Sequence, residues 1–335
     1  MHRILGLSLS VLCLLTGCQG NGSPPAEPTA IASPIIPSAT SAHTPVPTAG
    51  PTPTRTNTPF PLPPTPDPRR FVVAVPKAGV WDDPRNENKF LRLQTELILG
   101  EKVLVTGRRG EWTLIAAVDQ PSQKDPLGYP GWVRSEALSP GWPAARKYAV
   151  VMTARAQLRV QPAGSRWMSV YLDTRLPVEA EQGDWVRVRL PDGRTGLLPL
   201  RDVRLAEDPS APVATDSLFA LAETLVGVPY RWGGTTPDSL DCSGFLYRVF
   251  HAYGITLSRD ADDQATGGTA IARSDLVKGD LVFASETGGG AVTHVAMYWG
   301  NDRILDASGG KGVAIRPLAE ELLYKFWAGA RRYLP

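Results

Sequence analysis

Two stretches of this chain repeat one spaced pattern of glycine, acid and tryptophan, and the duplication is the strongest constraint on its fold. Gly110-Glu111-Trp112 followed by Ile115 matches Gly183-Asp184-Trp185 followed by Val188, and Gly131-Trp132-Val133 with Leu138 matches Gly196-Leu197-Leu198 with Val203 at the same spacing. Both copies lie among short Val-, Leu- and Trp-rich segments broken by Gly, Pro and Asp, which is the signature of β-strands and turns. A repeat of this length predicts two small all-β barrels, residues 71–140 and 148–205. The copies differ in one place: Trp112 and Gly131 stand eight residues further apart than Trp185 and Gly196, and the extra segment includes Asp119 to Tyr129. Such an insertion is either tolerated surface or a loop that carries function.

A third domain, residues 213–335, has a different texture. Leu218, Leu221, Ala222 and Leu225 recur at helical spacing after a capping Thr215 or Asp216, with Gly227 as the stop. A second helix is predicted from Cys242 to Tyr253, ended by Gly254, with Phe245, Val249 and Phe250 inward. Strands are expected near 280–284, 293–299, 304–307, 313–316 and 328–333. Helices first and strands later make an α+β layout. Gly288-Gly289-Gly290 lacks the continuation of a phosphate loop and reads as a hairpin tip.

Upstream of the barrels, His2 and Arg3 precede an apolar run from Ile4 to Leu15 and then Leu15-Thr16-Gly17-Cys18. The run is too short to span a bilayer and fits a signal peptide, residues 1–18. The small residues before Cys18 resemble a bacterial lipobox, which implies an exported chain held on a membrane by lipid on that cysteine. Residues 19–70 are dominated by Pro and Thr, too poor in apolar groups to offset the entropy of folding, and read as a linker able to reach on the order of 100 Å. A net charge of +2 without a long basic run gives no case for nucleic acid.

With Cys13 cleaved and Cys18 lipidated, Cys242 is left as the free thiol of the mature chain. Asp241-Cys242-Ser243-Gly244-Phe245 stands where a loop enters a helix, and a sulfur at the positive end of the helix dipole is favoured as the thiolate. A thiolate nucleophile needs a base. His2 is removed, His43 lies in the linker, and His251, nine residues beyond Cys242 on one helix, faces the opposite side about 13 Å along the axis. That leaves His294. If the following strands turn around Gly300, Asp306 faces His294 across the hairpin with Cβ atoms ~5 Å apart and orients the imidazole. One thiol and one competent histidine do not make a zinc site, and no cofactor is implied.

Tyr230-Arg231-Trp232-Gly233-Gly234, Asp241-Cys242-Ser243-Gly244-Phe245, Lys278-Gly279-Asp280-Leu281 and His294-Val295-Ala296-Met297-Tyr298, in this order, resemble the NlpC-type family of cell-wall cysteine peptidases. The resemblance implies a papain-like catalytic domain and cleavage after γ-D-glutamate in peptidoglycan stem peptides. Leu93-Gln94-Thr95, Gly100-Glu101, Gly128-Tyr129-Pro130-Gly131-Trp132-Val133, Thr174-Arg175-Leu176-Pro177 and Arg331-Arg332-Tyr333 extend it to the branch called dipeptidyl-peptidase VI, the γ-D-glutamyl-L-diamino acid endopeptidases, with two bacterial SH3-like domains. Its implications run residue by residue. The Tyr230 hydroxyl assists the oxyanion, Asp241 and Ser243 contact the D-Glu part, and Glu101, Tyr129 and Asp260 close the cleft around a free α-amine on L-Ala. Glu96 is the neighbouring alternative to Glu101. Where this branch normally carries His, the third polar position here is Asp306. An endopeptidase or amidase on intact wall and a non-catalytic wall-binding lipoprotein are the rival readings.

Overall fold

The computed structural model describes residues 67–89, 91–141, 144–285, 290–320 and 326–334. The signal peptide, Cys18 and all but the last residues of the Pro/Thr linker lie outside the described residues, as do Gly288 and Gly289.

The duplicated pattern folds into duplicated topology. The first copy has strands β1 (Arg70–Val73), β2 (Lys77–Trp81), β3 (Leu93–Ile98), β4 (Lys102–Arg109), β5 (Trp112–Ala117), β6 (Tyr129–Arg134) and β7 (Leu138–Pro140). The second has β8 (Tyr148–Val151), β9 (Arg155–Arg159), β10 (Arg166–Tyr171), β11 (Arg175–Gln182), β12 (Trp185–Arg189), β13 (Thr195–Pro199) and β14 (Val203–Ala206). Their strand orders, β3-β2-β6-β5-β4-β1-β7 and β10-β9-β13-β12-β11-β8-β14, are the same order displaced by seven. The repeated Gly-acid-Trp marks equivalent hairpins: Arg109 pairs Trp112 and Gln182 pairs Trp185, with Gly110 at φ 57° and Gly183 at φ 58° in the two-residue turns. That left-handed backbone favours glycine. Each barrel closes over its own aliphatic core, with Val80, Leu97 and Ile115 in the first and Val151, Leu158 and Val186 in the second.

The barrels are fused as well as repeated. Leu99 of the first is packed in the core of the second. Beside it, a Cβ on Gly100 would meet the Arg175 carbonyl oxygen at 2.6 Å, so the close backbone approach there admits glycine only.

The third domain contains α1 (Leu218–Glu223), β15 (Thr235–Thr236), β16 (Ser239–Leu240), α2 (Cys242–Ala252), α3 (Ala261–Gln264), β17 (Thr269–Ala270), β18 (Leu281–Ala284), β19 (His294–Gly300), β20 (Arg303–Ser308), β21 (Gly312–Pro317) and β22 (Trp327–Arg332). Six of these strands form an antiparallel sheet in the order β17-β22-β18-β19-β20-β21. The α+β layout and its principal strands are those expected; the short β15, β16, β17 and α3 carry too few residues to show a period. The first helix begins after Ser217, which makes no side-chain cap bond, and neither Thr215 nor Asp216 is its N-cap.

Every residue of α2 is buried. Phe245, Val249 and Phe250 join the apolar core of this domain. The polar side of the same helix is covered by the barrels: Tyr247 donates to the Asp119 carbonyl at 2.7 Å, and Arg248 pairs with Glu101 of the first barrel at 2.5 Å and Asp173 of the second at 3.3 Å. Both barrels thereby fix the helix that carries Cys242.

Candidate active site

Cys242 is the first residue of α2, and Asp241 is its N-cap, accepting from the Gly244 amide at 2.7 Å. A Cβ on Gly244 would lie 2.3 Å from the Gly234 carbonyl oxygen, so glycine lets the helix start press against the preceding loop. The rest of the Asp241 carboxylate is also taken by protein donors: the Gly233 amide at 2.8 Å and Arg259 at 3.1 Å and 2.7 Å. Asp241, expected at the D-Glu part of the substrate, lines the cavity, and its oxygens are held by the helix cap and the buried Arg259, which fixes the loop before Cys242. Ser243 also lines the cavity, and its hydroxyl accepts from Arg259 at 3.0 Å.

His294 opens β19, and its Nε2 lies 2.7 Å from Asp306 Oδ2. The other ring nitrogen is thus left for the sulfur of Cys242, with which the imidazole interacts. The strands do not meet in the expected register. They turn at Asn301 and Asp302, both at φ 52°, and Met297 pairs Leu305 while Tyr298 pairs Ile304. Continued along the strands, that register sets Ala296 opposite Asp306, making His294 and Asp306 diagonal neighbours. A displacement of two residues keeps both on one face, because side chains alternate with period two, and the diagonal is within reach of an imidazole.

Asp306 is fully buried, and the sequence reading missed what balances it. Arg316, on β21, donates from Nε to Asp306 Oδ1 at 3.1 Å and pairs with the same oxygen through Nη2. Aspartate in place of histidine at this position therefore comes with a guanidinium behind it. The alternation of β20 and β21, where Ile304 pairs Arg316, holds the signal that could have found it.

Burial is the largest influence on His294 and works against its charged form, but the negative charge on Cys242 and the hydrogen bond and charge of Asp306 outweigh it and raise its pKa from 6.5 to about 10. The imidazole of His294 is thus held in its charged form at neutral pH. Because the folded value is raised, stabilisation from the charged ring is complete below about pH 6.5 and is lost as pH rises through about 10. The rate is expected to fall over that alkaline limb. Asp306→Asn keeps an acceptor for the ring but removes its anion, so the limb should move to lower pH. Asp306→Ala, which also removes the acceptor oxygens of the ring and of Arg316, should lose more activity than the Asn variant. A pH profile of kcat/KM in the three proteins measures this; an unmoved alkaline limb in Asp306→Asn would separate Asp306 from the charge on the imidazole.

Above these residues lies a cavity of about 570 Å³, lined by Tyr230, Trp232, Cys242 and His294 at the reacting end. The first barrel closes the other end with Gln94, Lys124 and Tyr129, facing Asp260 at the start of α3. The Tyr129 hydroxyl donates to Asp260 at 3.1–3.2 Å. Burial and the adjoining Asp260 charge hold Tyr129 un-ionised, with a pKa up to about 12. Glu101 is not in this group. One of its oxygens pairs with Arg248, and the other accepts from the Ile98 amide at 3.1 Å and Gln120 at 3.2 Å, so this expected amine contact is corrected to a joint between domains. Glu96 is engaged likewise, by Thr235 and Thr236.

Residues 227–332 match the NlpC/P60 family, and residues 151–205 match the YKFC SH3b2 domain. A γ-D-glutamyl-L-lysine dipeptidyl-peptidase of Bacillus cereus is 35% identical over 260 residues, covering 75% of this chain and 77% of its own length. The chain belongs to the NlpC/P60 family. A Bacillus subtilis protein of the same name is 33% identical over 242 residues, covering 72% of this chain and 81% of its own. The crystal structure of an NlpC/P60 family protein from Bacillus cereus superposes with a TM-score of 0.73 at 29% identity, across 79% of this chain and all of the other. This NlpC/P60 chain is thus a cysteine peptidase built as two SH3-like barrels and a catalytic domain.

Proposed function

We propose that this protein hydrolyses the bond between γ-D-glutamate and the diamino acid of peptidoglycan stem peptides that begin with a free L-Ala. The observation that carries the reading is that Lys124 and Tyr129 of the first barrel line the same cavity as Cys242 and His294 and close on Asp260 there. A site closed in this way favours released fragments over polymeric wall. The names of the Bacillus relatives support the same bond.

In this mechanism the Cys242 thiolate attacks the γ-carbonyl carbon of D-Glu. The oxyanion forms beside the Cys242 backbone N–H, one of the amides at the helix start without an intrahelical partner, and the Tyr230 hydroxyl. The His294 imidazolium gives its proton to the departing amine of the diamino acid as the C–N bond breaks, leaving a thioester on Cys242. Neutral His294 then takes a proton from water, whose oxygen attacks the thioester; L-Ala-γ-D-Glu leaves and the thiolate–imidazolium pair is restored. Asp306 holds the ring orientation throughout. The signal peptide and Cys18 extend the proposal to an exported enzyme held on a bacterial membrane by lipid, with the Pro/Thr segment as its tether.

Mass spectrometry of the products from L-Ala-γ-D-Glu-diaminopimelate and its lysine counterpart tests the proposal. The expected products are L-Ala-γ-D-Glu and the free diamino acid. Release of peptides from intact peptidoglycan at a comparable rate would replace this reading with the wall endopeptidase.

A further inference from the structure

The eight residues by which the first barrel exceeds its copy are an attachment to the catalytic domain. The Pro121 carbonyl accepts from the Arg259 amide at 2.9 Å, the Gln123 amide donates to Asp263 at 2.9 Å, and the Gln123 side chain donates to Thr266 at 3.1 Å. Held by these bonds, the segment places Lys124 in the closed end of the cavity. Its ammonium lies 2.8 Å from Asp260 Oδ2, donates to the Tyr129 hydroxyl and sits 4.4 Å from the centroid of the Tyr129 ring. Asp260 stands at the N-cap position of α3 yet makes no cap bond, so its carboxylate is directed to this cluster.

We propose that Lys124 is a built-in stand-in for the substrate's α-ammonium, a latch that occupies the amine subsite of Asp260 and Tyr129 until a free amino terminus displaces it, and so sets how strongly the enzyme demands one. The inference rests on the function proposed above. A primary ammonium on a flexible stem has the charge and donors of a peptide amino terminus. Two ammonium groups on one carboxylate repel, so an incoming amine drives Lys124 outward. The Lys124 side chain is 46% exposed and has solvent to move into. An acylated amino terminus brings no charge and leaves the Lys124–Asp260 pair in place. Competition of this kind weakens binding of free-amine substrates and narrows their advantage over acylated ones.

The test compares L-Ala-γ-D-Glu-diaminopimelate with its N-acetylated form in wild type, Lys124→Met and Lys124→Arg. In Lys124→Met, KM for the free-amine peptide should fall about tenfold with kcat little changed, and the free-over-acetylated ratio of kcat/KM should rise about tenfold or more. Lys124→Arg should keep the wild-type ratio. Lys124→Gln, also without charge, should match Lys124→Met and decides the outcome if the Met variant misfolds. A ratio unchanged or lowered in the uncharged variants overturns the latch. Titration of L-Ala-γ-D-Glu into Cys242→Ala and Cys242→Ala/Lys124→Met reads the same subsite without turnover, and the double variant should bind about tenfold more tightly. If wild type releases no dipeptide, the proposed reaction fails, while this titration still decides Lys124.

Discussion

Cys242→Ala is expected to lower kcat by on the order of 10⁴-fold or more while leaving the fold intact, and His294→Ala by a similar factor. The two act as one unit. Without the sulfur there is no acyl acceptor; without the imidazole the departing amine has no proton donor and the thioester no base. The double variant should therefore be little worse than either single one, a non-additivity that separate roles would not give. Steady-state kinetics on the tripeptide, with circular dichroism as the folding control, measures all three. Turnover in Cys242→Ala above a hundredth of wild type would remove Cys242 as nucleophile.

A second large effect is expected on stability. Arg248, 1% exposed, holds Glu101 of the first barrel, Asp173 of the second and the Thr235 carbonyl of the catalytic domain. Arg248→Met removes the cation from under two buried carboxylates, and breaking such a buried cluster costs about 3–5 kcal/mol. Burial is the largest influence on Glu101 and raises its pKa even with Arg248 present, so this carboxylate depends on its partner. For a chain of this size the loss corresponds to a fall in Tm of roughly 10 °C. Adding Glu101→Gln to Arg248→Met should recover part of it, because the orphaned charge is gone. Thermal melts of the single and double variants check this, and a change below about 2 °C in Arg248→Met would show that the cluster does not hold the barrels to the catalytic domain. Glu101 thus matters to the enzyme through the joint between domains and not through the substrate.

The proposed reacting groups were legible in the sequence because catalysis imposes rare residue types at strict local positions. A lone thiol at a helix start, a histidine selected by elimination and an aspartate of the right parity can be located without coordinates. The duplicated barrels were legible for a related reason: the Gly110-Glu111-Trp112 and Gly183-Asp184-Trp185 turns repeat a local backbone requirement, and local requirements leave local marks. The hairpin register was less so. Parity on a strand survives a displacement of two residues, but the pairing depends on the turn that Asn301 and Asp302 adopt.

Long-range partnership was not legible. Whether Glu101 meets substrate or Arg248, whether Asp241 contacts a ligand or Arg259, and whether Asp306 is balanced by Arg316 are decided by which surfaces the domains bring together. A carboxylate in a sequence carries no record of its counter-ion. The insertion from Asp119 to Tyr129 shows the same division. Its extra length was visible beside the shorter copy, but only the docked barrel turns it toward Asp263 and Asp260 and sets the ammonium of Lys124 at the end of the cavity. Residue type and short spacing were enough to single out the lone thiol, the candidate histidine and the repeated architecture. Which charges are neutralised and which face the cavity emerged only from the folded chain, because that depends on burial between elements far apart in the sequence.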